Sequence, residues 1–486
     1  MVLLNSNFDI ENAEHTGGVT GSARVKHKVK NLFYQLKPSI LSNTLMRRFK
    51  AGHVDRENFG EVIASKISRS IMSGIDPDSV PEVSLVYNKE LKQVQIASKY
   101  LTGDKVRTLD GYAKEEGSVF KKHAVFVSKS TGKAKEFNLS GEKNSSLRKG
   151  LAYSIALSSI VGDHDVNPGN IMMVDNKVAR IDFGHAFNDL VNTAKIFGGR
   201  VRNKSNRTLD FINREHVAAF PPPGAQSKLW RDYPGLIPSD EIAQAYHDLS
   251  KPDNNVTQGI NEAKAEFTNL LNHVKTNGSK KEIKAVTKHV VNSLKAINNS
   301  IGGSKIKVSS KNPDKFLDKV FDNLGEFCSE NRRQMRGVSK LLKLQSNIDK
   351  TLEELAKSGK EPTKKQLGVI RAQYNELKQE KGIGKRSWWR PGIRWAKCEQ
   401  GSRAHKGSLR SYIKSRAKQL GVDKSLAKDF ANKAKYAKPI KDDSLSRNDP
   451  NKTIKKEANP KHKSQAIVVQ ANLPQKIVSK PKSVSR

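Results

Sequence analysis

The sequence predicts a mixed α/β (α+β) chain, with a small β-rich region followed by a large helical one, helical additions and a basic tail. Three observations predict it. Short alternating apolar runs cluster early in the chain, apolar residues spaced by three and four dominate from about residue 145 to 380, and the last 106 residues are compositionally distinct. From Lys381 to Arg486 there are 28 Lys and Arg against 7 Asp and Glu, a net +21, which leaves +18 of the formal +39 for the other 380 residues.

Taken in order, residues 1–75 read as a mainly helical amino-terminal region, because "VKHKVKNLFYQL" and "FGEVIASKISRSIM" carry apolar residues at helical spacing. Residues 76–135 read as a small sheet, with "VSLVY" and "QVQIASKYL" flanking the polar "NKELK" and "HAVFV" following at 123–127. Residues 136–380 open with the helical "SSLRKGLAYSIALSSIVG" and continue past "PPPG" into long helical patterns. Residues 381–486 are rich in Lys, Ser and Asn and have too few apolar residues to offset the entropy of ordering, so a mostly disordered tail is expected.

Composition narrows the function classes. Two cysteines far apart, Cys328 and Cys398, make no disulfide framework and suit a reducing compartment. The start "MVLLNSNFDIENAEHTGG" lacks the basic region and the apolar core of a conventional signal peptide. The run "LAYSIALSSIV" is far shorter than the roughly 20 residues that cross a bilayer.

The chemistry concentrates in "GDHDVNPGNIMMVDNKVARIDFGHAF", residues 162–187. Phosphoryl transfer from ATP needs a group to orient the acceptor hydroxyl and oxygen ligands that hold Mg²⁺ against the phosphates. Asp165 and Asn170 stand at the D-x-x-x-x-N spacing, and Asp182-Phe183-Gly184 begins twelve residues past the Asn. "NIMMV" and "VARI" predict a hairpin around "DNK" that carries Asn170 and Asp182 to one place. A lone DFG or a lone Asn-Pro-Gly turn is commonplace; the ordered set is not.

The run "KGLAYSIALSSIVGDHDVNPGNIMMVDNKVARIDFGHAF" resembles the catalytic core of the phosphatidylinositol 3- and 4-kinase family, whose members carry D-R-H-x-x-N-I-M and I-D-F-G-H. It is most similar to divergent effectors secreted by intracellular bacteria of the Rickettsia and Legionella type. The resemblance implies a two-lobed protein-kinase-like or phosphatidylinositol-kinase-like core, with ATP and Mg²⁺ (or Mn²⁺) as cofactors. It implies transfer of the γ-phosphate to host phosphoinositides, at the 3 position or alternatively the 4 position. It further implies export without a conventional signal peptide into the host cytoplasm, action at anionic host membrane surfaces, and room for a host activator protein. His185 after DFG is the letter that favours lipid over protein kinases.

On that reading Asp165 orients the hydroxyl, and Asn170 and Asp182 hold the metal. Where the family has D-R-H this chain has Asp165-Val166-Asn167, so an Asn stands at the family's loop His, and His164 either takes over that role or orients the loop. Lys99 is the expected phosphate-contacting lysine, with Glu115 or Glu116 as its partner and "HAVFV" as the adenine hinge. Lys195, Arg200, Arg202 and Lys204 are the expected headgroup contacts, since Arg forms forked hydrogen bonds to phosphate. The tail's charge and the three Trp of "RSWWRPGIRW" fit a membrane surface, each basic residue contributing about 1 kcal/mol at most. No nucleic-acid motif is evident. The D-x-N-P-G-N form also resembles small-molecule kinases such as aminoglycoside phosphotransferases, and protein kinases or a dead kinase fold that only binds membrane or nucleic acid complete the alternatives.

Overall fold

The computed structural model describes residues 2–16, 22–38, 55–119, 135–139, 141–163, 165–187, 207–213, 236–251, 255–303, 313–380, 383–385, 392–396 and 405–440. The amino-terminal strands β1 (Leu3–Leu4), β2 (Phe8–His15), β3 (Ala23–His27) and β4 (Phe33–Lys37) precede helix α1 (Arg56–Met72), and β5 (Val83–Asn88) and β6 (Gln93–Lys99) follow it. They form one curled six-stranded sheet in the order β1-β5-β6-β4-β3-β2, antiparallel apart from the β1–β5 edge.

This corrects the expectation of a helical amino terminus for "VKHKVKNLFYQL", whereas "FGEVIASKISRSIM" is helical, as α1. In "RVKHKVKNLFYQLK" the buried residues are Val25 and His27, then Tyr34 and Leu36, which is a period of two, with Lys37 also buried at the end of the run. The exposed residues 28–31 between them turn the chain, with Asn31 in the left-handed region at φ 52°, and the His27 amide donates to the Leu32 carbonyl at 2.8 Å. Phe8, His27 and Tyr34 pack edge to face, with ring centroids 5.4 and 5.5 Å from Phe8. They form a small core on one sheet face with Val25, Leu36, Val86 and Ala97. The other face, Val83, Leu85 and Ile96, joins the main core with Phe59, Ile63 and Ile67 of α1.

Strand β7 (Val106–Thr108), helix α2 (Leu109–Glu115) and the short parallel pair β8 (Ser118–Val119) and β9 (Lys135–Glu136) lead to α3 (Ser145–Val161). Helix α3 is apolar almost all round and correspondingly buried, from Leu151 to Val161. Strands β10 (Ile171–Val174) and β11 (Lys177–Arg180) form the expected hairpin and add to β7. Helices α4 (Arg207–Asn213), α5 (Ser239–Leu249), α6 (Asn255–Asn277), α7 (Lys280–Ser300), the 46-residue α8 (Pro313–Ser358) and α9 (Lys364–Leu377) build the helical part. Reciprocal capping boxes start α7 (Ser279 with Glu282) and α9 (Thr363 with Gln366).

Part of the expected tail is folded. Strands β12 (Gly384–Lys385), β13 (Gly392–Arg394) and β14 (Lys406–Gly407) are followed by α10 (Leu409–Gln419) and α11 (Lys424–Tyr436). Trp395 is fully buried and stacks on Tyr412 with centroids 3.8 Å apart, so it is a core residue and not an interfacial anchor. The Ala396 backbone exchanges two 3.0 Å hydrogen bonds with the buried Gln345 side chain of α8. Residues 1–440 form one compact unit, and 441–486 lie outside the described residues. Among the described residues no helix is long and apolar enough to cross a membrane.

Candidate functional site

The site is built where the end of β4, the middle of α1 and the two loops around the β10–β11 hairpin meet. Lys37, the last residue of β4, is 8% exposed; its Nζ stands 2.7 Å from Glu61 Oε2 and 3.3 Å from Asp182 Oδ1. Glu61 sits mid-helix on α1 among apolar neighbours and is 2% exposed, whereas the Asp182 side chain is half-exposed. A charge taken out of water needs a partner, and Lys37 serves two carboxylates. Burial pushes the Lys37 amine down, but Glu61 and Asp182 more than reverse this and hold it above the ordinary lysine range. Burial pushes Glu61 up to about 7 against the pull of Lys37. Burial also acts on Asp182, yet Lys37 and Arg180 bring it below the usual carboxylate range.

The loop after α3 is organised by its own side chains. Gly162, at φ 68°, closes the helix. The buried Asp163 accepts the Asp165 amide at 2.9 Å. Asn167 donates to Asp165 Oδ1 at 3.0 Å and accepts the Gly169 amide at 2.8 Å, the turn chemistry expected of Asn before Pro-Gly. Asn170 Nδ2 donates to Asp165 Oδ2 at 3.1 Å and to the Asp165 carbonyl at 3.0 Å, which leaves its Oδ1 uncommitted among the described residues.

Hairpin register then carries the second loop to the first. Ile171 pairs with Arg180, and the Ile181 amide continues the ladder to the Asn170 carbonyl at 3.0 Å, so Asn170 and Asp182 lie beside each other. Asp182 has φ 55° and Phe187 φ 59°. A left-handed Phe is rare, and strain of this kind collects at functional turns. The turn is held from outside: Arg56 of α1 donates to the Ala186 carbonyl at 3.1 Å, and Ser300 of α7 donates to the Phe187 carbonyl at 2.5 Å. His185 within it is exposed.

Asp165, Asn167, Asn170 and Asp182 are thus brought together. Lys99 is not among them. It lies on β6 opposite Tyr34, and the lysine that reaches Asp182 is Lys37, with Glu61 as its carboxylate; Glu115 instead pairs with Arg107. The signal missed was the alternation that makes β4 a strand, with Glu61 on the next helix. A second missed signal is the connection between β2 and β3, Thr16-Gly17-Gly18-Val19-Thr20-Gly21-Ser22. Its base is closed by the Thr16 amide and hydroxyl, which donate to the Ser22 carbonyl at 3.1 and 3.0 Å. Residues 17–21, His164, "HAVFV" at 123–127, and Lys195, Arg200, Arg202 and Lys204 lie outside the described residues.

A family model described as the LepB N-terminal domain matches residues 121–197. That is under one fifth of the chain, and it contains both loops of the site. It falls on the segment that carried the resemblance to phosphatidylinositol 3- and 4-kinases, and it is a different family, pointing to a function other than a lipid kinase. The membership in the phosphatidylinositol kinase family and the assignment as a phosphoinositide kinase are therefore withdrawn. No curated protein matches the chain.

Among the described residues no three His, Cys, Asp or Glu side chains converge as a ligand set. The half-exposed Asp182 carboxylate and the Asn170 amide oxygen, on two loops whose main chains meet at Arg180, are the donor types that suit Mg²⁺, which takes one or two protein ligands and completes its shell with water and phosphate oxygens.

The Glu61 carboxyl gives a pH test. Its folded value of about 7 stands above its ordinary 4.5. The folded state therefore binds more protons than the unfolded between those values, and stability falls as pH rises through this window. Unfolding in urea across pH 4.5–7.5 is expected to show the wild type losing a few kcal/mol relative to Glu61→Gln; parallel curves would mean that Glu61 titrates normally.

Proposed function

We propose that this site binds a Mg²⁺–nucleoside triphosphate and transfers its terminal phosphoryl group to a hydroxyl acceptor. The observation that carries this reading is Lys37 held between a helix glutamate and Asp182, beside the Asp165–Asn170 loop. A strand lysine paired with a helix glutamate, followed by a metal-binding Asp in D-F-G, is the arrangement that kinases use to hold and neutralise triphosphate. The coarse form of the chain, a curled sheet joined to a helical part, is compatible with a two-lobed core of that type.

Each residue has one task in this reading. Lys37 contacts phosphate oxygens, and Glu61 keeps its ammonium directed into the site. Asp182 and Asn170 Oδ1 hold the metal, which when bound offsets the charge of the phosphates. Asp165 Oδ2 accepts a hydrogen bond from the acceptor hydroxyl and takes its proton as the new O–P bond forms and the bridging P–O bond of the nucleotide breaks. Asn167 and Asn170 keep Asp165 at a single orientation. Positioning and charge neutralisation supply most of the acceleration in such a site. The Gly-rich connection at 16–22 has the composition of a segment that approaches phosphates closely. No lipid acceptor forms part of the proposal.

The test is labelled ATP with Mg²⁺, with transfer to protein, small hydroxyl compounds and water measured in parallel. Lys37→Met is expected to weaken nucleotide binding about tenfold and to lower transfer by about 10²-fold, the range seen when one electrostatic stabiliser is removed. Wild-type behaviour of Lys37→Met in calorimetric titration would remove the nucleotide from this site.

A further inference from the structure

Arg180, the last residue of β11, is fully buried and is hydrogen-bonded on every side. Its Nε donates to Ser158 Oγ of α3 at 3.2 Å. One terminal nitrogen donates to the carbonyls of Asn170 at 3.0 Å, of Asp182 at 3.3 Å and of Ile181. The other donates to Asp163 Oδ2 at 2.7 Å and to the Asp165 carbonyl at 3.2 Å. The ring of Phe183 lies 4.9 Å from the guanidinium carbon. The main chain of Asp165, Asn170 and Asp182, three residues drawn from two loops, therefore hangs on one side chain.

We propose that Arg180 is the positioning residue of this site: its guanidinium, held by the buried Asp163 carboxylate, sets the separation of the acceptor-orienting Asp165 from the metal-holding Asn170 and Asp182. The inference rests on the phosphoryl-transfer reading. Buried carbonyls need donors, and only a planar fork with five N–H groups can serve so many at once. Lysine offers three donors on one point charge and cannot span the same set. The cation also lies beneath a site that gathers Asp165, Asp182 and Glu61, whose mutual repulsion it reduces. Asp163 balances it with a carboxylate that is itself fully buried.

A plain structural ion pair would hold the fold without setting the metal site, and the two roles separate experimentally. The full-length wild type and Arg180→Lys are compared by amide hydrogen exchange and by Mn²⁺ titration followed by electron paramagnetic resonance, with and without ADP. In Arg180→Lys, exchange over 163–184 is expected to rise at least tenfold while α5–α9 stay protected. Mn²⁺ affinity in the presence of ADP is expected to fall at least tenfold, with metal-free ADP affinity within twofold of wild type. A folded Arg180→Lys with wild-type exchange in that segment, or with wild-type Mn²⁺ affinity, overturns the proposal. If Arg180→Lys does not fold, Asp163→Asn, which keeps shape and one acceptor but removes the counter-charge, is measured instead. It is expected to show the same exchange signature and a several-fold weaker Mn²⁺ site, and wild-type values there overturn the proposal equally. A wild type that takes up no Mn²⁺ with ADP overturns the phosphoryl-transfer reading and the positioning role together, whereas a wild type that binds Mn²⁺ beside an equally competent Arg180 variant overturns the positioning role alone.

Discussion

Asp182→Asn is expected to lower metal-dependent phosphoryl transfer by about 10³-fold or more while leaving the fold intact. The second half of that expectation follows from what the side chain touches. Its carboxylate is half-exposed and, among the described residues, hydrogen-bonds or pairs with Lys37 at 3.3 Å and the Gly184 amide at 3.3 Å. Lys37 keeps Glu61 at 2.7 Å when the charge at 182 is lost, so no buried cation is stranded, and an amide oxygen can still accept from Gly184. The first half follows from charge. Asp182 is the anionic member of the proposed metal pair, and an amide binds Mg²⁺ far more weakly than a carboxylate does. Rates with Mg²⁺ and Mn²⁺, with thermal unfolding of the same preparations, check both halves. An unchanged rate in a normally folded Asp182→Asn would put the metal elsewhere.

Much of the site was legible in sequence because it is local. Asp165, Asn170 and Asp182 are separated by one tight turn and one hairpin, and the alternation of "IMMV" and "KVAR" specifies which residues of the hairpin face each other. The lysine was not legible for the opposite reason. β4 lies between β3 and β6, and its pairing with β6 brings Lys37 opposite Ile96, nearly sixty residues away; no local pattern encodes that register. β3 and its turn to β4 also carry Lys26, Lys28 and Lys30, so the apolar positions that alternate there are few and the strand pattern is short. Composition misled at the other end. Residues 381–440 are basic, yet Trp395, Tyr412, Ile413 and Phe430 are spaced widely enough to look sparse while all reaching one core through α10 and α11. The reading of function went wrong at a different level. A forty-residue resemblance can point to a chemistry, but the family it suggests depends on the sequence around it, and there the match is to the LepB N-terminal domain.

Gly259→Ala gives the sharpest test of how α1, and with it Glu61, is held. By helix propensity alone the change is favourable, since Gly in a helix interior costs about 1 kcal/mol relative to Ala. The packing predicts the opposite sign. A Cβ at 259 would lie 2.5 Å from Ile67 Cα, 2.9 Å from the Lys66 carbonyl oxygen and 3.0 Å from the Ile67 nitrogen, all backbone atoms of α1. No rotamer change relieves a clash with main chain, so α6 must move away from α1, and a misfit of this kind typically costs 1–3 kcal/mol and sometimes more. Gly325 on α8 is the internal control, because among the described residues its added Cβ would meet Ile260 Cγ1 alone, at an ordinary 3.9 Å. Gly325→Ala is therefore expected to raise the urea midpoint slightly and Gly259→Ala to lower it by about 2 kcal/mol of stability. The displacement also has a functional reading. Ile67 lies less than two turns from Glu61 on the same helix, so a shifted α1 draws Glu61 off Lys37, and nucleotide affinity should fall in Gly259→Ala but not in Gly325→Ala. A stabilised Gly259→Ala would mean that α1 and α6 do not approach as closely as their backbones indicate, and a destabilised variant with undiminished nucleotide affinity would separate the helix contact from the site.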